Sequence, residues 1–391
     1  MAVDIPAAIP HPHRMVEDDK KNTHMKKALL YFSILTAILA SSCSQKNIIV
    51  LDTQQPTVVK NVIFVVGDGM GTAQVYASIV AKRDSSQFLK FPYSGFSRTY
   101  SNNRYKTDSG AGGTALMTGH KVDNYHIALS SDNIPYPSFL VTAHEQLGKS
   151  AGFVVSSGML DATPATTYGH ASDRKMTDLL SIQMAQCPFE VMVGGGKNQF
   201  LPENRKDGLA PIDTLVSRGY TMVYSLNDLK HCTSQKICAF LSDENYASGN
   251  AEKRDYWLVA GTQKAIEVLN SNPNGFTLMV EASQIDWALH NTDSAYLLTE
   301  LDELERTLAV ILDFAERDGN TLVIVTADHE TGGLSLPKGD IDAGVSNFKF
   351  QSGDHTGVMV PVFSYGPGAE QFSGIQQNSD FYYKILNLLN H

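Results

Sequence analysis

The amino-acid sequence predicts an α/β protein with a mostly parallel, doubly wound central sheet and helices on both faces. The first observation is a series of apolar runs rich in valine and isoleucine, several without strict alternation, which is typical of parallel strands covered on both faces. The second is that helical patterns lie between these runs. The third is that 391 residues, 42% of them hydrophobic, are enough for a large buried core.

The predicted elements alternate along the chain. Six apolar runs are predicted strands, at residues 58–67, 151–157, 190–195, 275–283, 321–329 and 357–366. Five stretches are predicted helices, at residues 71–83, 138–147, 255–269, 298–316 and 381–389. Two polar stretches, 231–253 and 334–352, are predicted to be small surface insertions. We therefore expect a single domain over residues 58–391.

The N-terminal region has the features of an export signal. From Met25, two lysines, a short apolar run and small residues lead to Cys43. This order predicts a lipoprotein-type signal peptide at 25–42, with Cys43 lipidated as the mature N-terminus; the alternative is an ordinary signal peptide in which Cys43 is incidental. Residues 1–24 are interpreted as a non-native or mis-called extension, and 44–57 as a tether. The expected location is periplasmic or in the cell envelope.

Charge and cysteine content restrict the possible partners. A formal net charge of -10 argues against a general binder of nucleic acid or of anionic membranes, so membrane contact is expected only through the N-terminal lipid anchor. The sequence has no CxxC pair that would predict a cysteine-bound metal. In an oxidising compartment Cys232 and Cys238 could form a disulfide that closes a short loop. Cys187 would then have no cysteine left to pair with.

Acidic residues follow the predicted strands, where doubly wound sheets place their ligands. The five carboxylates are those of Asp68, Asp161, Glu281, Asp286 and Asp328. At about 5 Å and an effective dielectric near 20, each pair would repel by roughly 3 kcal/mol. A marginally stable domain does not tolerate many such pairs. Either the carboxylates are scattered, or divalent cations bind them.

Histidines and oxygen ligands favour cations. His290 follows Asp286 by four residues, which puts both side chains on one face of a helix. His329 adjoins Asp328, and a further histidine, His355, lies in "GDHTG". Mixed nitrogen and carboxylate ligands suit zinc, whereas the oxygen-only set suits magnesium. That set is Asp161, Thr163 and Glu281. The residue types therefore predict more than one metal site.

Ser109 opens a run of small residues, "GAGGTALMTG", which is predicted to begin a helix. A helix N-terminus favours an anion, and small neighbours let that anion approach closely. Taken alone, Ser109 would more often be a helix cap. Beside a metal cluster it is a candidate nucleophile.

Six motifs in this order resemble the alkaline phosphatase family: "VGDGMG", "TDSGAGGTALMTG", "DATPA", "VEASQIDWALH", "TADHETGG" and "GDHTG". They extend from about residue 61 to residue 357. The resemblance implies that family's three-layer α/β sandwich. It also implies metal-dependent hydrolysis of phosphate monoesters through a phosphoserine, with two zinc ions and one magnesium ion per subunit. A homodimer is left open.

The resemblance also implies residue roles. Ser109 matches the nucleophile, and Arg174 matches the arginine that binds two phosphate oxygens, with Asp108 holding it in place. One zinc would be bound by Asp286, His290 and His355, and the other, which activates Ser109, by Asp68, Asp328 and His329. The magnesium would be bound by Asp68, Asp161, Thr163 and Glu281.

Two other functions are weighed. A phosphodiesterase of the same superfamily would more commonly have threonine as nucleophile and lack the arginine, so Ser109 and Arg174 favour the monoesterase. A surface lipoprotein that merely binds metal or phosphate is the other alternative. The presence of every matched ligand and of the nucleophile argues against it.

Overall fold

A ten-stranded sheet organises the computed structural model, which describes residues 58–244 and 250–390. The sheet strands are β1 (Asn61–Gly67), β2 (Tyr93–Arg98), β3 (Ser150–Gly158), β4 (Val191–Gly195), β5 (Thr221–Val223), β6 (Ile237–Phe240), β7 (Phe276–Ala282), β8 (Thr321–Thr326), β13 (Val360–Tyr365) and β14 (Gly374–Gln377). Their order across the sheet is β14-β2-β13-β8-β1-β7-β3-β4-β6-β5. Neighbouring strands are parallel, except that β13 runs antiparallel to β8 and β2. Two antiparallel pairs lie outside it: β9 (Glu330–Thr331) with β12 (His355–Thr356), and β10 (Ser335–Asp340) with β11 (Val345–Lys349).

Helices connect most of the strands. They are α1 (Thr72–Lys82), α2 (Ser109–Thr118), α3 (Phe139–Leu147), α4 (Ala162–Tyr168), α5 (Thr177–Gln186), α6 (Pro211–Ser217), α7 (Leu226–His231), α8 (Trp257–Leu269), α9 (Gln284–His290), α10 (Ser294–Asp318) and α11 (Asp380–Leu389). Short 3₁₀ turns occupy Arg83–Ser85, Gln87–Lys90, Lys197–Phe200, Pro202–Asn204, Ala251–Arg254 and Ala369–Phe372. Among the described helices, none combines the length and apolar character needed to cross a bilayer.

Two hydrophobic cores cover the two faces of the sheet. In β1, Val62 and Phe64 belong to the core that includes α3, α4, α5 and α11, while Ile63 and Val65 belong to the core that includes α1, α8 and α10. Successive residues of a strand face opposite sides, so one fully buried strand supplies both cores. The predicted fold class, a mostly parallel sheet with helices on both faces, is confirmed.

Each of the six apolar runs overlaps a strand of the sheet, and each of the five predicted helices is present. The stretch 334–352 forms the largely exposed hairpin β10–β11, as expected of a surface insertion. The interpretation of 231–253 as an insertion is wrong for Ile237–Phe240, which form the buried strand β6 between β4 and β5. The sequence did not reveal this strand because it is short and polar segments flank it.

The disulfide between Cys232 and Cys238 is not formed, and within the described residues both thiols are free. Cys238 is part of one hydrophobic core, whereas Cys232 packs against the core on the other face of the sheet. Burial raises the pKa of the Cys238 thiol, so it stays protonated. The predicted extension 1–24, signal peptide 25–42, Cys43 and tether 44–57 lie outside the described residues.

Candidate active site

The carboxyl ends of four central strands bring the acidic residues together. Strands β8, β1, β7 and β3 are parallel neighbours, so their carboxyl ends share one edge of the sheet. Asp68 directly follows β1, and Glu281 lies one residue before the end of β7. Asp328 and Asp161 follow β8 and β3 within three residues. All four side chains therefore lie at the edge where ligands bind in such sheets.

One group of possible metal ligands joins α9 with β12. Ligand atoms of Asp286, His290 and His355 lie within 4.8 Å of one another. The Nε2 atom of His290 is 3.2 Å from Asp286 Oδ2 and 3.2 Å from the Nε2 atom of His355. Asp286 and His290 meet because they are one helical turn apart on α9. The three donors converge closely enough to hold one cation.

Backbone carbonyls orient both imidazole rings of this group. Nδ1 of His290 lies 2.8 Å from the carbonyl oxygen of Gly353, and Nδ1 of His355 lies 2.9 Å from that of Thr107. A carbonyl can only accept a hydrogen bond, so each Nδ1 carries a proton and each Nε2 can offer its lone pair. A proton competes for that lone pair, because the hydrogen bond to Asp286 raises the pKa of His290 to about 9.

A second group consists of Asp68, Asp286 and His329, all buried, again with ligand atoms within 4.8 Å of one another. Nε2 of His329 lies 3.5 Å from Asp68 Oδ1 and 3.2 Å from Asp328 Oδ2. Burial lowers the pKa of His329 well below its usual value, so the ring is neutral, as a ligand must be. Asp286 belongs to both groups, which the sequence did not predict.

Buried oxygen atoms with no hydrogen-bond partner in the described part of the chain mark the rest of the site. They are Asp68 Oδ1, Thr163 Oγ1, Glu281 Oε2 and Asp328 Oδ2. An unsatisfied buried polar group costs about 1–3 kcal/mol, and four in one place need a common explanation. Hard divalent cations bind such oxygens. The residues present therefore fit metal ions that would complete their coordination.

The pKa values of three of these carboxyls are raised by burial and by their acidic neighbours. Burial, together with the charges of Asp161 and Asp328, raises the pKa of Glu281 to about 8. Burial and the charge of Asp286 raise the pKa of Asp328 to about 7. The pKa of Asp68 is also raised well above its usual value by burial and by its acidic neighbours. Divalent cations would remove this repulsion.

Ser109 begins α2 beside the second group. Asp108 caps the helix, because its carboxylate accepts hydrogen bonds from the backbone N–H groups of Gly110 and Ala111 at 3.2 and 3.1 Å. The Ser109 Oγ atom lies 3.2 Å from Nε2 of His329. The small residues let the helix approach the end of β8: a Cβ atom at Gly112 would lie 2.9 Å from the carbonyl oxygen of Asp328.

Arg174 lies between two of the acidic residues. Its Nη1 atom is 3.2 Å from Asp108 Oδ2 and its Nη2 atom is 3.0 Å from Asp161 Oδ1. Although burial lowers its pKa, the charges of Asp161 and Asp108 more than offset that effect and raise it overall. The guanidinium is therefore charged and is held by carboxylates on both sides.

Comparison with known proteins decides the family. The family model for alkaline phosphatase matches residues 59–349, well over half of the chain. The chain belongs to the alkaline phosphatase family. It is 30% identical to alkaline phosphatase 4 of Bacillus subtilis, over 85% of this chain and 90% of that protein. Its identity to the alkaline phosphatase of Escherichia coli is 27%, over 83% of this chain and 85% of that protein.

Solved alkaline phosphatases share the fold. The enzyme from the Antarctic bacterium TAB5 superposes with a TM-score of 0.80 and 33% identity, covering 85% of this chain and 99% of that one. A variant of that enzyme, with histidine replaced by aspartate, has magnesium bound in its M3 site. The predicted family, α/β fold and hydrolase class are confirmed. Alkaline phosphatases hydrolyse phosphate monoesters and depend on metal ions, and this chain is one of them.

Thr331 was not singled out in the sequence, although it lies in the motif "TADHETGG". Its Oγ1 atom is 2.5 Å from Asp286 Oδ1 and 3.2 Å from His329 Nδ1. One hydroxyl thus contacts members of both groups. The available signal was spacing: Thr331 is two residues from His329, which places both side chains on one side of an extended segment.

Proposed function

We propose that the chain hydrolyses phosphate monoesters in two displacements through a phosphoserine at Ser109. In the first, the Ser109 oxygen bonds to phosphorus, the ester bond breaks, and the alcohol leaves with a proton. In the second, water attacks the phosphoserine, inorganic phosphate is released, and the serine hydroxyl is regenerated. Dividing the reaction in this way makes each displacement easier. The supporting observation is the position of the Ser109 hydroxyl, which is nearly buried beside the two ligand groups.

We assign two zinc ions and one magnesium ion to each chain. Asp286, His290 and His355 suit one zinc because they combine nitrogen with oxygen. Asp68, Asp328 and His329 suit the second for the same reason. When bound, such ions stabilise the attacking and leaving oxygens of an in-line displacement.

The magnesium assignment rests on oxygen donors. Asp68, Asp161, Thr163 and Glu281 offer only oxygen, the ligand type that magnesium requires. Three of these residues, Asp68, Thr163 and Glu281, have a buried side-chain oxygen with no hydrogen-bond partner among the described residues. Magnesium in the M3 site of the aspartate-bearing TAB5 variant agrees with this assignment.

Arg174 is proposed to bind the phosphate. Its planar guanidinium can donate two parallel hydrogen bonds to two phosphate oxygens, which lysine cannot do. Asp108 and Asp161 fix its direction through the contacts at 3.2 and 3.0 Å. The positive end of α2 further favours the anion that develops at Ser109.

A matched experiment tests this function. The wild-type chain and Ser109→Ala are compared on an aryl phosphate, with bound zinc and magnesium measured in both by elemental analysis. We expect Ser109→Ala to retain its metals and to lose at least about a thousandfold in kcat. Unchanged turnover with metals bound would contradict the proposal. The ratio of kcat/KM for a matched monoester and diester separates the monoesterase from a phosphodiesterase.

Export is a separate proposal. The signal at 25–42 and the lipidated Cys43 would place the enzyme in the cell envelope, held by its lipid anchor. Incorporation of a labelled fatty acid into the wild-type chain but not into Cys43→Ser would support it, and equal incorporation in both would contradict it. Sedimentation of the purified enzyme tests the homodimer that the resemblance leaves open.

A further inference from the structure

A cleft of about 410 Å³ opens beside the candidate active site. Its wall includes Asp161 and Arg174, which also belong to the site, and Tyr125, Lys175 and Gln199, whose side chains have no role in the proposed chemistry. This volume is within the range of pockets that bind small molecules. The cleft therefore shares the proposed phosphate-binding arginine but extends beyond it.

The backbone of Tyr125 is part of the support for that arginine. Its N–H donates to Asp108 Oδ1 at 2.9 Å, and its carbonyl oxygen accepts from the backbone N–H of Arg174 at 2.8 Å. Tyr125 has a φ of 74°, a left-handed conformation that is uncommon for a bulky residue. The residue is nevertheless 56% exposed. An exposed ring held on a strained backbone gains little from packing within the chain, and such strain often occurs at ligand sites.

Another part of the lining is polar. The Gln199 side-chain oxygen Oε1 is buried and has no hydrogen-bond partner among residues 58–244 and 250–390. It is an acceptor that a ligand N–H or O–H group could satisfy. The cleft thus combines an exposed aromatic residue with an unused acceptor.

We infer that this cleft is the subsite for the alcohol half of the ester, and that it favours an alcohol carrying a planar ring with hydrogen-bond donors at its edge. The base of a nucleoside 5′-monophosphate has this chemistry. A phosphate bound to Arg174 places the rest of the substrate next to the cleft, because the guanidinium lines both. Tyr125 stacks on the ring, and Gln199 accepts a hydrogen bond from its edge. This inference rests on the proposed phosphatase function.

Three substrates with the same leaving oxygen test the subsite. Adenosine 5′-monophosphate has a base with an amino group, purine riboside 5′-monophosphate lacks only that amino group, and ribose 5-phosphate lacks the base. In the wild-type enzyme we expect kcat/KM to fall in that order, by about three- to tenfold at each step. The differences should appear mainly in KM, because a contact remote from the reacting atoms binds ground state and transition state alike.

Variants assign the two contacts. Tyr125→Asn removes the ring but keeps a residue that tolerates positive φ. It should reduce the preference for adenosine 5′-monophosphate over ribose 5-phosphate to near one, whereas Tyr125→Phe should retain it. Gln199→Met should remove only the preference for adenosine 5′-monophosphate over purine riboside 5′-monophosphate. Tyr76→Asn, at a tyrosine 48% exposed on α1 and outside the cleft, is the matched control.

The outcomes separate the two proposals. If the wild-type enzyme fails to hydrolyse ribose 5-phosphate and the nucleotides alike, the proposed function is contradicted. If it hydrolyses all three at similar kcat/KM, or if Tyr125→Asn and Tyr76→Asn change the preferences equally, the subsite is contradicted and the phosphatase function stands.

Discussion

Nδ1 of His355 donates a hydrogen bond of 2.9 Å to the backbone carbonyl of Thr107. This bond joins the segment that leads into Ser109 to the segment that carries a candidate zinc ligand. An ion pair between Lys106 and Asp354 joins the same two segments one residue earlier in each. Asp354 Oδ1 also accepts the backbone N–H of His355 at 2.8 Å. The nucleophile and the imidazole are thus positioned by one pair of adjacent segments.

Replacing Lys106 should make the position of His355 less fixed, because it removes the ion pair with Asp354. We expect Lys106→Met to increase the rate of zinc loss to a chelator by about two- to fivefold, which is the modest effect of an exposed ion pair. Lys106→Arg should restore the wild-type rate. Lys197→Met is the matched control, because it breaks an ion pair with the equally exposed Asp243 elsewhere on the surface. Equal zinc loss in the two methionine variants would contradict this role for Lys106.

Removing the guanidinium should affect catalysis strongly. Arg174→Ala is expected to lower kcat/KM for monoesters by about a hundredfold, since it removes preorganised donors to the transition-state phosphate. Arg174→Lys should recover less than a tenth of the loss, because an ammonium group cannot form two parallel hydrogen bonds. Steady-state kinetics at saturating zinc and magnesium measure both. Full recovery with lysine would show that charge alone is sufficient.

Thr331 should act through Asp286. We expect Thr331→Val, which keeps the shape but removes the hydroxyl, to weaken zinc binding by about tenfold, because partners of ligating carboxylates tune metal affinity. Competition with a fluorescent zinc chelator measures the change. Thr331→Ser should remain close to wild type, and a tenfold loss in the serine variant as well would show that packing of the methyl group is responsible.

Removing the metal ions with a chelator should make the unfolding temperature of the protein depend on pH. Burial raises the pKa of Glu281 from its ordinary 4.5 to about 8. A carboxyl whose pKa is higher in the folded state stabilises the fold most at acidic pH, and that contribution is lost as the pH rises through the folded value. The unfolding temperature of the chelated protein should therefore fall from about pH 5 to about pH 8.

Metal addition and a substitution test the cause of this fall in unfolding temperature. Zinc and magnesium should largely abolish it, since cations bind the ionised carboxylates. Glu281→Gln, which removes one of the three carboxyls with raised pKa values, should make the fall smaller in the absence of metals. An unfolding temperature that rises with pH in the chelated wild-type protein would contradict the sign of this effect.

The sequence predicted most of the scaffold. Its candidate site residues lie together at one edge of the sheet, but not all of their geometry was predicted. Apolar runs identify buried strands well, because burial on both faces leaves no polar positions in them. The strand β6 was missed because four residues flanked by polar segments give little signal. The sharing of Asp286 between two ligand groups could not be predicted, since it depends on how α9 is placed against β9 rather than on spacing within either element. The disulfide considered between Cys232 and Cys238 does not form for a similar reason: the two cysteines pack on opposite faces of the sheet.

The most direct test of the central claim, that divalent cations bring the carboxylates and imidazoles into one phosphate-transferring site, is reconstitution of the chelated enzyme. Zinc and magnesium are restored stepwise while bound metal and monoester turnover are measured on the same samples. We predict that full activity coincides with two zinc ions and one magnesium ion per chain, and that labelled phosphate is then trapped on Ser109. Full turnover without bound metal, or metal binding at that ratio without phosphate on Ser109, would contradict the account.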